Sequence, residues 1–326
     1  MASKKHLNSA QKPWSAEYAM TGAFASALIQ QQFPELGPLN IEFLGAGWDN
    51  TVFQVNTNYV FRFPRRAVAV PLLQQECLTL KSLERTAPKF ALAHPIPRFQ
   101  GRPGTVETEH YPWPFMGYTR VTGQTACQAR VPESKRKDWA AILGQTLKQL
   151  HHHPVPPTLL GDTLKRADLR HRLPWFQEQW KQTLTLAEQQ GERFPQGQIE
   201  TFLHQLEHIE RSSSPKEDSA LVHGDLYIRH LIVDSHQRLT GLIDWGDTHH
   251  GDISTDLGIL YSAIPPKYHH LFWQNYGPVS ELTRYKAQFR ALYSSCYIYR
   301  YGIDIQDTDL QREGRQGIQW IASSSH

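Results

Sequence analysis

The segment Leu221–Asp234, LVHGDLYIRHLIVD, contains two short apolar runs separated by a polar loop. The runs Ala220–Val222 and Leu231–Val233 consist of aliphatic residues and are typical of buried β-strands. The loop between them carries Asp225 in the sequence His-Gly-Asp. A carboxylate at the end of a strand is held by a rigid scaffold and still faces solvent, so this loop is a candidate catalytic loop.

A second carboxylate follows a third apolar run. Thr240–Ile243 continues the strand pattern after the polar turn Asp234–Arg238, and Asp244 follows it directly in the sequence Ile-Asp-Trp. Two carboxylates at neighbouring strand ends can share the work of phosphoryl transfer, because one receives the proton of an attacking hydroxyl and the other binds Mg²⁺. The alternative is structural: HGD is a tight turn, and Asp244 is a buried, paired residue of a core strand.

Upstream, the segment Leu44–Phe53, LGAGWDNTVF, is predicted to form a strand, a glycine-rich turn and a second strand. Gly45 and Gly47 allow the backbone to close over phosphate groups, and we expect Asn50 to adopt the positive φ that a third glycine often supplies. The pattern is weak by itself. It gains weight from the carboxylate segments downstream.

The next alternating segment, Tyr59–Pro64, is predicted as a strand that presents the cation Arg62 to phosphate oxygens. A predicted helix over Val70–Leu83 contains Glu76, a candidate ion-pair partner of Arg62. An incidental surface pair is the alternative, because other cations lie nearby in the sequence, namely Arg65, Arg66 and Lys81.

Taken together, these segments resemble the aminoglycoside phosphotransferase family, and within it the aminoglycoside 2″-phosphotransferase and macrolide phosphotransferase branches. The resemblance covers roughly residues 15 to 300. It rests on five segments, LGAGWDNTVF, VFRFPRR, PFMGYTRVTG, LVHGDLYIRHLIVD and GLIDWGDTHHGDISTDLGIL, of which the last two are specific. The family implies an α+β, bilobal protein-kinase-like fold, with a small antiparallel-sheet N-lobe over 1–118 and a larger, mainly helical C-lobe over 119–326.

The resemblance also implies roles for individual residues. Asp225 matches the catalytic aspartate, Asp244 matches the metal-binding aspartate, and the backbone of Thr119 to Val121 matches the hinge that hydrogen-bonds the purine. The implied cofactors are ATP or GTP with Mg²⁺, and Mn²⁺ is an alternative metal.

Two positions depart from the pattern of the family. Arg62 stands where many relatives have lysine, which keeps the charge but replaces a compact ammonium with a planar fork. His230 stands where most relatives have a metal-binding asparagine, and imidazole suits Mg²⁺ less well than oxygen does. Members of the macrolide branch share this histidine, so the departure indicates a subfamily more than an inactive enzyme. From the position that it occupies, the resemblance implies that His230 is a metal ligand.

Composition agrees with a two-lobed enzyme. The 326 residues exceed the usual size of one core, and 40% of them are hydrophobic. No segment approaches the about 20 uninterrupted apolar residues of a membrane span, so no membrane partner is expected. The start, MASKKHLNSAQKPWS, lacks an apolar signal core, and Cys77, Cys127 and Cys296 are scattered thiols, which together favour the cytoplasm. A net charge of +3 with dispersed basic residues argues against a nucleic-acid partner, and the oligomeric state stays open.

The periodicity predicts further elements. Strands are expected near 41–45, 51–55, 59–63 and 115–121, an opening helix around Met20, Phe24 and Leu28, and an exposed hairpin between Gly101 and Pro114. Helices are expected over 135–152, over 169–190 with a break or start near Pro174, over 198–211 and over 282–301. The run His151–His153 is expected to cap and pack a helix end.

The predicted function is transfer of the γ-phosphate of ATP or GTP to a hydroxyl of a small molecule, for example an aminoglycoside or a macrolide. Alternatives are a metabolic small-molecule kinase, a protein kinase, or a nucleotide-binding regulatory module without turnover. A polycationic acceptor would require a cluster of carboxylates. A larger apolar or sugar-bearing acceptor would suit an aromatic set, although ordinary helix packing also explains it: Tyr293, Tyr297, Tyr299, Tyr301, Trp175, Trp180 and Trp273.

Overall fold

The structure is a computed structural model, and it describes residues 16–47, 49–86, 90–212 and 218–324. The expectation about the amino-terminal segment 1–15 lies outside these ranges, as do Trp48 of the glycine-rich loop and part of the polar linker near 213–217. The described chain divides into two compact units. The first contains the residues up to Cys77 together with Ile96–Arg120, and the second contains Leu78–Pro95 and the residues from Val121 onward.

The first unit is built on an antiparallel sheet. Its elements are α1 (Gly22–Gln32), β1 (Ile41–Ala46), β2 (Asn50–Val55), β3 (Tyr59–Pro64), the start of α2 (Ala69–Thr86), β4 (Pro97–Gly101), β5 (Gly104–Val106), β6 (Glu109–Tyr111) and β7 (Phe115–Thr119). The strand order of the main sheet is β1-β2-β3-β7-β4. Alternating strand residues such as Phe53, Phe61 and Phe63 point to one side and pack against Phe24 and Leu28 of α1.

Several expectations for this unit need correction. Met20 precedes α1, which begins after the N-cap Thr21, whose hydroxyl accepts the N–H of Phe24. Strand β7 ends at Thr119, before the expected residue 121. The hairpin β5–β6 forms, but it is only partly exposed, because Tyr111 is fully buried and donates its hydroxyl to the carbonyl of Pro64.

The second unit is mainly helical, with small sheets near the candidate site. Its elements are β8 (Gln124–Thr125), α3 (Lys137–His151), α4 (Leu169–Gln189), α5 (Gln196–Ser212), β9 (Ser219–Val222), β10 (Leu231–Val233), β11 (Leu239–Leu242), β12 (His249–Asp252), α6 (Ser254–Ala263), α7 (His269–Tyr276), α8 (Glu281–Asp304) and α9 (Thr308–Ser324). One sheet has the order β11-β10-β8, and β9 pairs with β12. The sequence prediction of an antiparallel-sheet region followed by a helical region is confirmed.

The helical core of this unit surrounds α6. Residues Ser254–Tyr261 of α6 are buried, and α8 and α9 pack against it. A buried ion pair joins Arg136 to Glu313 of α9 at 2.8 Å. The expected break at Pro174 is wrong: α4 runs through this residue, because the burial of one helix face, with Leu173 and Phe176 on either side of Pro174, outweighs the one hydrogen bond that proline removes. No helix within the described ranges is long and apolar enough to span a membrane.

Candidate active site

The His-Gly-Asp loop connects β9 to a short 3-10 turn that ends at His230. Gly224 has a φ of 86°, in the left-handed region that favours glycine. A Cβ at this position would lie 2.1 Å from the carbonyl oxygen of Asp247. Glycine is therefore required for the loop to approach the segment that follows Asp244.

The loop is held from below by Asp256, a fully buried carboxylate of α6. It accepts the backbone N–H of His223 at 2.7 Å and that of Gly224 at 2.9 Å. On the other side, Nε2 of His151 lies 3.2 Å from Asp256 Oδ2, and Nδ1 of His151 lies 2.8 Å from the hydroxyl of Tyr276. Burial alone would raise the pKa of Asp256, but the hydrogen bond from His151 and the charges and N–H groups around it lower that pKa. Asp256 thus stays ionised and fixes the backbone next to Asp225.

Asp225 projects from this loop, and its side chain is 41% exposed. Its Oδ1 atom lies 3.6 Å from Nη2 of Arg290 on α8. Desolvation by the surrounding side chains raises the pKa of Asp225, and His230 and Arg290 oppose this while the negative charges of Asp247 and Asp244 add to it. The result is a carboxylate with raised basicity at an accessible position, as a proton acceptor requires.

Asp244 follows β11 in a left-handed conformation with a φ of 66°. Its Oδ2 atom lies 3.2 Å from Nε2 of His230. The other ring nitrogen of His230, Nδ1, donates to the backbone carbonyl of Asp225 at 2.7 Å. This contact assigns a proton to Nδ1, so Nε2 is the atom that titrates beside Asp244: it donates to Oδ2 when the ring is protonated and carries a lone pair when the ring is neutral.

Burial alone would lower the pKa of His230, but the charge and hydrogen bond of Asp244 and the charge of Asp225 raise it. His230 and Asp244 together provide one imidazole nitrogen and one carboxylate, which fits a metal ion that also takes phosphate oxygens. Among the described residues no group of three or more His, Cys, Asp or Glu side chains has metal-binding geometry. A metal ion here would need further oxygen ligands from water or a nucleotide.

In the first unit, Nη1 of Arg62 on β3 lies 2.6 Å from Oε1 of Glu76 on α2. The other carboxylate oxygen of Glu76 accepts the hydroxyl of Tyr118 on β7 at 2.9 Å. Glu76 is 1% exposed and Arg62 is 15% exposed, so this is a buried, oriented pair and not an incidental surface pair.

The glycine-rich turn connects β1 to β2. Built Cβ atoms at Gly45 and Gly47 would meet no atom within 4 Å, so the turn leaves open space beside its backbone. The expected positive φ at Asn50 is wrong, because Asn50 is the first residue of β2 and pairs with Pro64 of β3. The ladder between the strands requires the extended conformation there.

The predicted hinge follows β7, and the chain passes from the first unit to the second between Arg120 and Val121. The amide of Thr119 donates to the carbonyl of Ile96 at 2.9 Å, and the amide of Arg120 donates to Asn58 at 2.7 Å. Thr119 and Val121 therefore flank the position where the compact units divide.

Three residues that contact the predicted site residues or their loop were not predicted from the sequence, namely Asp256, Arg290 and Tyr118, and neither was the contact of His151 with Asp256. Their contacts join segments far apart in the chain, which local periodicity does not report. The sequence offered one signal, Asp256 in the segment GDISTDLG, because a carboxylate in an otherwise apolar helix must find a partner.

The fold is similar to those of solved aminoglycoside and macrolide phosphotransferases. A mutant aminoglycoside 2′-phosphotransferase IIIa in complex with GDP is 21% identical, with a TM-score of 0.63 over 93% of this chain and 98% of that chain. An aminoglycoside 2″-phosphotransferase with GDP and kanamycin is 21% identical, with a TM-score of 0.58 over 93% and 99% of the two chains. A macrolide 2′-phosphotransferase type I is 19% identical, with a TM-score of 0.53 over 92% and 98%.

Sequence comparisons give a short match and a long one. The uncharacterized protein YcbJ of Bacillus subtilis (strain 168) is 41% identical over 46 residues, which is 14% of this chain and 15% of that protein. The sequence model described as "Phosphotransferase enzyme family" matches residues 40–291, well over half of the chain. This chain therefore belongs to the phosphotransferase enzyme family, and its fold is similar to those of the solved phosphotransferases above.

Proposed function

We propose that the protein transfers the γ-phosphate of ATP or GTP to a hydroxyl group of a small molecule, with Asp225 as the catalytic base. The observation that carries this proposal is the arrangement of Asp225, His230 and Asp244. His230 donates to the backbone of Asp225 and faces the carboxylate of Asp244 at 3.2 Å. One loop thereby connects a proton acceptor to a two-residue metal site, which is the pair of functions that phosphoryl transfer needs.

Asp225 acts on the acceptor. Its carboxylate orients the attacking hydroxyl and takes its proton as the bond to phosphorus forms. Arg290, 3.6 Å away, keeps the carboxylate ionised and limits its rotation. Asp256 holds the loop backbone through two hydrogen bonds. This keeps the Asp225 carboxylate in a fixed position relative to the acceptor hydroxyl.

Asp244 and Nε2 of His230 would hold the metal ion, and Mg²⁺ or Mn²⁺ fits this donor set. A metal ion held there would supply positive charge against the phosphates of the nucleotide. The hydrogen bond from Nδ1 to the Asp225 carbonyl fixes the ring orientation that metal binding needs.

Residues of the first unit bind the nucleotide. Arg62, oriented by Glu76 and Tyr118, contacts phosphate oxygens, and the backbone of the turn at Gly45 and Gly47 covers them. The amides of Thr119 and Arg120 already donate hydrogen bonds to backbone carbonyls of this unit. We therefore assign the amide of Val121 to the purine.

Aminoglycosides and macrolides are the first acceptor classes to test, because similar folds carry those names. The test is a phosphate-release screen with ATP and GTP across aminoglycosides, macrolides and common metabolic alcohols, run beside calorimetric nucleotide binding. Acceptor-stimulated release together with nucleotide binding is the expected result. Nucleotide binding without release for any acceptor would favour a regulatory module, and absence of nucleotide binding would contradict the proposal.

A further inference from the structure

The glycine-rich turn between β1 and β2 carries a carboxylate, Asp49, which forms an ion pair with Arg66 just after β3. Nη2 of Arg66 lies 2.5 Å from Oδ1 of Asp49. The two side chains are 17% and 32% exposed, so water weakens this pair less than it weakens a fully exposed pair. The ion pair therefore connects the turn to the segment between β3 and α2.

Arg65, the residue before Arg66, makes two further contacts with the same turn. Its amide donates to the carbonyl of Asp49 at 2.7 Å, and its guanidinium donates to the carbonyl of Gly47. Within the turn, the amide of Gly47 donates to the carbonyl of Asn50 at 3.0 Å. Two consecutive arginines thus contact a turn whose glycines would otherwise give its backbone wide conformational freedom.

The backbone of the two arginines is itself held in place. The amide of Glu17 donates to the carbonyl of Arg65 at 2.9 Å, and Oε2 of Glu17 accepts the amide of Ala67 at 3.2 Å. The carbonyl of Arg66 accepts the amide of Ala69, the first residue of α2, at 3.1 Å. All of these residues belong to the first compact unit. The ion pair therefore joins the turn to a corner that is fixed by its own hydrogen bonds.

The charge of Asp49 is unexpected at this position. A turn that covers phosphate groups brings its side chains near several negative charges, and an unpaired carboxylate there would repel them. Arg66 supplies the neutralising charge. The pairing gives Asp49 a use that outweighs the repulsion, because it fixes the turn before a nucleotide arrives.

We propose that the Asp49–Arg66 ion pair holds the glycine-rich turn in its phosphate-binding form, which makes both residues positioning residues for the nucleotide. This inference rests on the proposed phosphotransferase function and specifies what orders its nucleotide turn. Without the ion pair the free turn has more conformations, and nucleotide binding then has to order it at a cost in affinity.

The first test is calorimetric titration of the full-length protein with the Mg²⁺ complexes of ATP and GTP. Asp49→Asn and Arg66→Gln should each weaken nucleotide binding by about fivefold, and the double variant should bind no more weakly than either, because all three lack the same contact. Arg66→Lys keeps the charge and should bind within about threefold of the wild type. Arg102→Gln changes an exposed arginine of the same unit and should bind as the wild type does.

Asp49→Asn also separates positioning of the turn from direct contact between Arg66 and phosphate. If Arg66 bound phosphate itself, removal of the Asp49 charge would release this cation and tighten nucleotide binding. Adenosine and guanosine lack phosphate groups and should bind equally to the wild type and to both variants. Tighter binding of ATP and GTP by Asp49→Asn, or an equal loss of nucleoside binding, would overturn the inference.

A second measurement does not depend on a nucleotide. Amide hydrogen exchange of the free protein over residues 44–53 should be at least about threefold faster in Asp49→Asn and Arg66→Gln than in the wild type, because the ion pair orders the turn. Equal exchange in the three proteins would overturn the inference. A wild type that binds neither ATP nor GTP would instead contradict the proposed function, and the exchange rates would still decide whether the ion pair orders the turn.

Discussion

Nε2 of His151 lies 3.2 Å from Oδ2 of Asp256, and this contact connects the end of α3 to the carboxylate that holds the catalytic loop. The sequence run His151–His153 was expected to cap and pack a helix end. Helix α3 does end at His151, with His152 as its C-cap, and His151 also takes part in a buried chain from Tyr276 through Asp256 to the amides of His223 and Gly224. The loop that carries Asp225 is thus positioned by buried residues of other segments, Asp256, His151 and Tyr276.

Asp256→Asn should lower both kcat and stability. The amide has one acceptor oxygen, so at least one of the buried donors around it loses its partner, at a cost of about 2 kcal/mol. We expect kcat to fall while the KM for nucleotide stays nearly unchanged, because Asp256 positions the loop and does not bind phosphate. Urea unfolding and steady-state kinetics measure the two effects. Asp138→Asn, an exposed position on α3, serves as the control and should change neither.

Asp256→Asn should also change how the free energy of unfolding depends on pH. Because the folded-state pKa of Asp256 is lowered, its contribution is fully present above the ordinary value of 3.8 and is lost as the pH falls through the lower folded value. The difference in unfolding free energy between the wild type and Asp256→Asn should therefore shrink below that pH. A difference that stays constant into the acid range would show that the charge of Asp256 contributes no stability.

His230→Asn should change the metal preference. An amide oxygen suits Mg²⁺ better than imidazole does, so the ratio of Mg²⁺ to Mn²⁺ activity should rise. Protons compete with metal for His230, whose pKa is raised, so wild-type activity should fall more between about pH 8 and about pH 6 than that of His230→Asn. A grid of activity against metal and pH measures both effects, with His236→Asn in an exposed turn as the control. Equal metal preference in wild type and His230→Asn would mean that His230 is not a ligand.

Asp244→Ala should abolish metal-dependent nucleotide binding, because this residue brings the only full negative charge to the proposed metal ligands Asp244 and His230. Calorimetric titration with ATP or GTP, with and without Mg²⁺, measures the effect. The metal-free affinity should remain similar to that of the wild type. An unchanged affinity for the Mg²⁺ complex would place the metal at another position in the protein.

Arg62→Ala should raise the KM for nucleotide by about tenfold or more and destabilise the fold by about 3 kcal/mol, because it leaves the buried Glu76 without its cation. Tyr118→Phe removes only one hydrogen bond to Glu76, so it should cost about 1 kcal/mol with little change in KM. Kinetics and urea unfolding separate the two variants. Equal KM values for Arg62→Ala and the exposed control Glu42→Gln would remove Arg62 from the nucleotide site.

The sequence predicted what depends on local pattern. The strands around Asp225 and Asp244 are short aliphatic runs with polar turns, and their ends lie where the pattern stops. The features that could not be predicted from the sequence depend on contacts between distant segments. The extended conformation of Asn50 follows from its pairing with Pro64, and the role of Asp256 follows from folding of α6 beneath the loop.

The aromatic residues illustrate the same limit. Tyr297 and Tyr299 are neighbours in the chain, yet the first is exposed and the second is fully buried. This difference in exposure depends on which side of α8 packs against other helices, and composition alone does not predict it. The resemblance to a family supplied the assignment of roles that periodicity could not.

The most direct test of the central claim is the rate at which the labelled γ-phosphate of ATP or GTP appears on an acceptor hydroxyl, compared between wild type and Asp225→Asn. We expect kcat of Asp225→Asn to fall by about 10²-fold or more, the usual range for a catalytic base, while calorimetric nucleotide affinity changes by less than about twofold. Asp234→Asn, on the turn between β10 and β11, is the matched control and should transfer phosphate at the wild-type rate. Transfer by Asp225→Asn at more than about half of the wild-type rate would contradict the assignment of Asp225 as the base.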